Sequence, residues 1–160
     1  MEDGKQQRET EGAPNVEIQK YLTNLDANFE VMGRVLGWTL QCANYKNDLP
    51  TVRWLLDTFD FETRCPRMTQ SAFELSVKGG RMDIARLMLQ RCQSVFNQDV
   101  LDACWFWACD SASVPMAELL MSWAPAATAL PHFLPACLNT AAEHGHVDLV
   151  KWLWDKGESL

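Results

Sequence analysis

The chain has 160 residues, 48% of them apolar and 10% aromatic, with seven Trp, which is material for one modest core and too apolar for a disordered chain. Its net charge of −7 would be repelled by nucleic-acid phosphates and anionic lipid surfaces, so neither is expected as a partner. No apolar run reaches the roughly 18 residues of a membrane span, and the opening MEDGKQQRETEGAPN lacks the apolar stretch of a secretory signal, so a cytoplasmic or nuclear protein is expected.

Residues 1–14 are polar, charged and without periodicity, and are expected to form a disordered tail. From Asn15, a helix N-cap residue, Ile18, Tyr21, Leu22 and Leu25 recur at helical spacing. They predict a capping helical segment over residues 15–34, in which Asp26 or Asn28 opens a second apolar-periodic stretch through Phe29, Met32, Val35 and Leu36.

From residue 35 to the end the chain repeats itself. A small residue recurs at Ala43, Ser76, Ala108 and Ala141, and a turn position at Asn47, Gly80, Ala112 and Gly145. A core position of the helix after the turn recurs at Val52, Ala85, Ala117 and Val150. All three series step by 33, 32 and 33 residues. A helix–turn–helix period of this length marks a stacked solenoid, because each unit is too short to bury its own apolar face. The expected fold is all-α, with four units over about 35–66, 67–99, 100–131 and 132–160.

The last unit carries the most specific signal. AAEHGHVDLVKWL at Ala141–Leu153 resembles the ankyrin repeat, with its paired alanines, Gly-His turn and Val/Leu-rich second helix. LSVKGGRMDIARLML at Leu75–Leu89 is a second match, while Cys42–Leu56 and Trp107–Met121 follow mainly in spacing. A tetratricopeptide array has nearly the same period, but its Trp, Gly, Tyr and Pro pattern is missing. The family's Thr-Pro-Leu-His start is absent from all four units, where only its Leu position stays apolar. The glycine that closes the second helix survives only as Gly157. The array is therefore divergent, and irregular finger loops are expected over residues 60–70, 93–102 and 125–135.

Few residues invite chemistry. His144 and His146 form a His-x-His pair, but the template sets one on the exposed face and the other on the local backbone, so they are expected to diverge. Cys104 and Cys109 are about 140° apart around a helix, and no Cys-x-x-Cys spacing occurs. The six cysteines are expected to be buried free thiols, and a Cys137 pair with His132 or His144 stays open. Trp105 takes the buried Leu position, which leaves Phe106 or Trp107 to pack on a neighbouring layer or to stand in the groove as an aromatic anchor. Trp54 and Trp152 share one second-helix position, expected on an outer ridge. With no phosphate loop, nucleophile elbow or paired carboxylates, no catalytic residue, metal or cofactor is expected.

The resemblance implies a non-catalytic module that binds a protein or peptide partner along its groove and fingers, as adaptor, scaffold or inhibitor. Carried over by position, the groove residues are Tyr45, Lys46, Lys78, Asp110, Ser111, Glu143 and His144, and the finger residues are Arg64, Arg67, Gln70, Asp99, Asp102, His132 and Phe133. Basic side chains fall on the early units and acidic ones on the late units, which would orient a bipolar partner. A second class stays open: a small biosynthetic or ligand-binding protein, or an enzyme, with an aromatic pocket near Trp105–Trp107 and His132–Phe133. The last unit has no polar cap, so Leu149, Trp152 and Trp154 are expected to offer a self-association face.

Overall fold

A computed structural model describes residues 16–17 and 29–159, with side chains from Val31 onward. The expected tail and most of the expected capping segment lie outside the described residues; within that segment Val16 and Glu17 are helical. The described residues hold no strand and nine α-helices. These are α1 (Phe29–Tyr45), α2 (Leu49–Thr58), α3 (Phe61–Arg64), α4 (Pro66–Lys78), α5 (Met82–Cys92), α6 (Gln98–Asp110), α7 (Val114–Met121), α8 (Ala124–Glu143) and α9 (Val147–Gly157), with a 3-10 turn at Gln93–Val95 after α5. Because α1 runs unbroken from Phe29, the boundary expected at 34/35 falls inside a helix.

Four of the helix pairs are hairpins, α1–α2, α4–α5, α6–α7 and α8–α9, and each reverses at one left-handed residue. Asn47, Gly80, Ala112 and Gly145 have φ of 56°, 65°, 57° and 73°. The next amide in each hairpin bonds back to the carbonyl of the buried small residue: Asp48 to Ala43 at 2.9 Å, Arg81 to Ser76 at 2.8 Å, Ser113 to Ala108 at 3.3 Å and His146 to Ala141 at 2.8 Å. This is a Schellman closure, and it satisfies carbonyls that the helix end would leave bare. The second helix then starts at once. Asp48 caps α2 through the amide of Thr51, and Ser113 caps α7 through the amide of Met116.

The first helices touch in chain order, α1 on α4, α4 on α6 and α6 on α8, and the second helices do the same, α2 on α5, α5 on α7 and α7 on α9. One core runs through both rows from Met32 to Leu153. Trp105 is fully buried at its centre and donates its indole N–H to the Ala126 carbonyl at 3.1 Å, which removes the penalty of a bare buried donor. Close approach of α1 needs two glycines. A Cβ on Gly33 would stand 2.6 Å from the Arg64 carbonyl oxygen, and one on Gly37 would meet the flexible Met68 side chain. Between hairpins, the buried Asn44 amide donates to the Ala72 carbonyl.

The linkers differ from the expected irregular loops, because most of their residues are helical. Asp60 caps α3 through the Thr63 amide, Asn97 caps α6 through the Val100 amide, and α8 passes straight through residues 125–135. The cause is apolar anchoring. Phe61, Phe96 and Trp123 are buried, and Phe73 stacks on Phe96 with centroids 4.3 Å apart while Trp123 meets both edge-on. Pro131 and Pro135 sit inside α8 on its exposed side, where the carbonyls they leave unbonded are not shut in the core. Gly157 is also not the expected left-handed cap. It is helical, and a Cβ there would stand 2.6 Å from Leu134, so close packing selects it.

Ala112 alone holds a left-handed turn with an ordinary Cβ, at about 1–2 kcal/mol. Ala112→Gly should therefore raise stability by about 0.5–1 kcal/mol after the entropy of the unfolded glycine is counted, as an increased urea midpoint with unchanged slope. Gly33→Ala should lower stability by about 1–3 kcal/mol, since the backbone carbonyl it meets cannot swing aside.

Candidate functional site

The first helices present an exposed face at i, i+3, i+4 and i+7 spacing. On α1 it carries Trp38, Cys42 and Tyr45, on α4 Ser71, Glu74 and Lys78, on α6 Phe106, Trp107 and Asp110, and on α8 Asn139 and Glu143. Trp38 is 62% exposed, Tyr45 75% and Phe106 50%, which is unusual for large apolar side chains and concentrates them on this face. Trp107 is half-buried under the Lys78 ammonium, 3.9 Å from the ring centroid, and Phe106 packs edge-on against it. Burial raises the Glu74 carboxyl above its usual range.

The turn edge of this face is stitched from hairpin to hairpin. The Arg81 guanidinium donates to the carbonyls of Leu75 and Tyr45 and lies over the Tyr45 ring. His146 reaches the Asp110 carbonyl at 3.1 Å, in the preceding hairpin. His144 is held by the Thr140 carbonyl, 3.8 Å from the Asp110 carboxylate. The two histidines therefore do not diverge as expected; their rings stack with centroids 5.7 Å apart, because both turn toward Asp110. Exposed Lys46 and Lys78 stand at the turn ends of the first two hairpins, Asp110 and Glu143 at those of the last two, and Ser111 closes α6 through the Ala108 carbonyl.

The residues expected on fingers lie within helices. Gln70 donates inward to the Val95 carbonyl and so fastens the linker. Asp99 is exposed in the first turn of α6, and Asp102 accepts from Gln98 at 2.8 Å. Asp102, His132 and Phe133 line a 650 Å³ cleft between α6 and the start of α8, together with Leu101, Pro125 and Thr128. Trp105, Phe106 and Trp107, expected to share an aromatic pocket with His132 and Phe133, do not line it. Arg64 and Arg67 border a separate cleft. Of the expected self-association residues Leu149 is 1% exposed and belongs to the core, because α9 turns it inward on α8; Trp152 is half-buried and Trp154 is 59% exposed.

Five cysteines are buried and free, but Cys42 is exposed, contrary to the expectation, since it lies on the outward face of α1. Burial pushes the Cys104 thiol far up and that of Cys92 up to about 12. Cys109 donates to Cys137 from the neighbouring first helix, and this bond with burial holds the Cys109 proton on. Among the described residues no three His, Cys, Asp or Glu are disposed to hold a metal ion. No described helix is long and apolar enough to cross a membrane.

Trp38, Arg34 and Arg81 are absent from the residues expected on sequence grounds. Trp38 was within reach, since it precedes Ser71 by one period of 33 and so shares its helix position.

No protein-family model, curated protein or solved structure matches the chain.

Thiol chemistry checks the placement of the cysteines. A thiol-reactive disulfide reagent should titrate one group, Cys42, in the native protein and all six after unfolding. Cys42→Ser should abolish the native reaction; rapid native reaction of a second thiol would contradict the buried placements.

Proposed function

We propose that the chain is a divergent ankyrin-like array acting as a non-catalytic interaction module, an adaptor, scaffold or inhibitor that holds a protein or peptide segment along the exposed face of its first helices. What carries the reading is the cluster of exposed aromatic side chains on that face, Trp38 and Tyr45 on α1 and Phe106 on α6. Large aromatics displace much water for little lost rotamer freedom, so they make anchors when a partner covers them. The repeated left-handed turns and the chain-order contacts within both helix rows support the ankyrin-like part. The lysines at one end and the carboxylates at the other would set the direction in which a segment lies.

A second reading has one observation in its favour. The 650 Å³ cleft beside His132 and Phe133 is within the size range of small-molecule sites. It gathers one histidine and one carboxylate, Asp102, already occupied by Gln98. The exposed Trp154 and Val147 keep self-association through the last hairpin within the proposal.

Affinity capture from native extract tests the main reading. Joint replacement Trp38→Ser and Phe106→Ser should lower retention of a captured protein by about tenfold or more with an unchanged melting curve. Lys46→Glu with Lys78→Glu should slow association more than it speeds dissociation. Equal retention by all variants would overturn the groove as the binding surface.

A further inference from the structure

Three of the chain's eight arginines meet in one place. Arg34 on α1, Arg64 at the end of α3 and Arg67 in the first turn of α4 line a cleft of 340 Å³, whose remaining walls include Gly33, Pro66 and Met68. Among the described residues no carboxylate lines it. Two arginines elsewhere have acidic partners: Arg91 pairs with Asp57 at 2.8 Å and Arg86 faces Asp83 at 3.9 Å. Among the described residues, neither Arg34 nor Arg67 has such a partner. Hydrogen bonds from Thr63, with a lesser contribution from the Arg64 charge, hold the Asp60 carboxyl below its usual range. In a chain of net charge −7, a cleft whose described lining carries three guanidinium groups and no carboxylate is a local reversal of sign.

We propose that this cleft binds a phosphate monoester on a side chain of the protein partner. The forks of Arg34 and Arg67 alone offer more donors than one carboxylate can accept, Arg64 adds its charge, and a phosphate group carries about −1.5 to −2 charges and three acceptor oxygens. The apolar stems and Pro66, Met68 and the bare backbone of Gly33 suit the aliphatic part of a modified serine. A nucleotide fits less well, because no aromatic ring among the described residues lines the cleft to stack a base. RNA and anionic membranes would bring their extended charge against the rest of an acidic protein. Arg67 and Met68 also lie in the first turn of α4, whose cap residue Cys65 supplies no side-chain acceptor, so the helix end adds its partial positive charge. The site deepens the proposed protein-binding role and rests on it for its occupant.

The test is an NMR titration of the full chain with O-phospho-L-serine, following the arginine side-chain N–H groups and the Met68 amide. Saturable shifts at Arg34, Arg67 and Met68 are expected. Arg34→Ala with Arg67→Ala should weaken binding about tenfold or more, and Arg53→Ala, an exposed arginine on α2, should leave it unchanged. Should the double variant fail to fold, Arg34→Gln alone should still weaken binding severalfold with an unchanged melting curve. Absence of saturation, or equal binding by all variants, would overturn the site. Inorganic phosphate binding as tightly as phosphoserine would overturn the side-chain occupant. Arginine-dependent binding to phosphatidylserine vesicles that phosphoserine does not displace would overturn the protein partner. No captured partner is needed, so failure here with retained sensitivity at Trp38 and Phe106 would leave the groove standing. Loss of that sensitivity with phosphoserine still bound would leave the cleft standing.

Discussion

Every hairpin depends on one backbone bond, the amide after the left-handed turn residue donating to the carbonyl of a buried small residue. The bond spans 2.8–3.3 Å in the four hairpins and draws the second helix against the first within three residues. It works only if the acceptor residue is small, because the next helix crosses over it; Ala43, Ser76, Ala108 and Ala141 are all buried. It also requires positive φ, which glycine supplies twice and asparagine once, and which Ala112 adopts at a cost. The turns fix the spacing within each pair, and packing of the four hairpins in chain order then generates the core. A substitution that breaks a turn in either middle hairpin would loosen two interfaces, since these pack on a hairpin at each side.

These requirements are of the kind that leave a mark in sequence. Small residue, left-handed residue and second-helix core residue are each chosen by a local constraint, and the constraints repeat with the period. So the hairpins, their turns and most of their core were legible from the 33-residue spacing, even where Asn47 and Ala112 replace glycine. The linkers were not, because they obey no repeated rule. α3 closes one linker, a 3-10 turn the next, and an uninterrupted α8 the last. Their signals are present but local: Asp60 and Asn97 three residues before Thr63 and Val100 are N-caps, and Phe61, Phe96 and Trp123 are anchors. Expecting loops meant expecting those aromatics to be exposed.

The same contrast runs through the surface. Period alone locates Tyr45, Lys78, Asp110 and Glu143 on one edge, and the structure places them there. It cannot say what each side chain does once there. Lys78 lies on Trp107, His146 reaches back to Asp110, and Gln70 ties down Val95. Such contacts join residues about one period apart, or between helix and linker, and depend on side-chain length. The exposed aromatics of α1 are a different case. Nothing in the neighbouring hairpin covers Trp38, because its counterparts Ser71 and Ala103 are too short to reach it.

The last hairpin is less covered than the other three. Leu40, Phe73 and Trp105, at equivalent positions in the first three hairpins, are fully buried. Leu138, the fourth member of that series, is only half-buried, and so is Val150 where Val52, Ala85 and Ala117 are closed. The last hairpin meets this deficit from within. Gly157 lets α9 close on Leu134, the long α8 brings Phe133 and Leu134 beside the core, and the exposed Trp154 hands its indole N–H to Glu158. Leu149 and Leu153 are thereby sealed without a further layer. The burial that remains missing falls on Leu138, Val150, Trp152, Trp154 and Val147, while the two leucines that close the hairpin, Leu149 and Leu153, need no further contact.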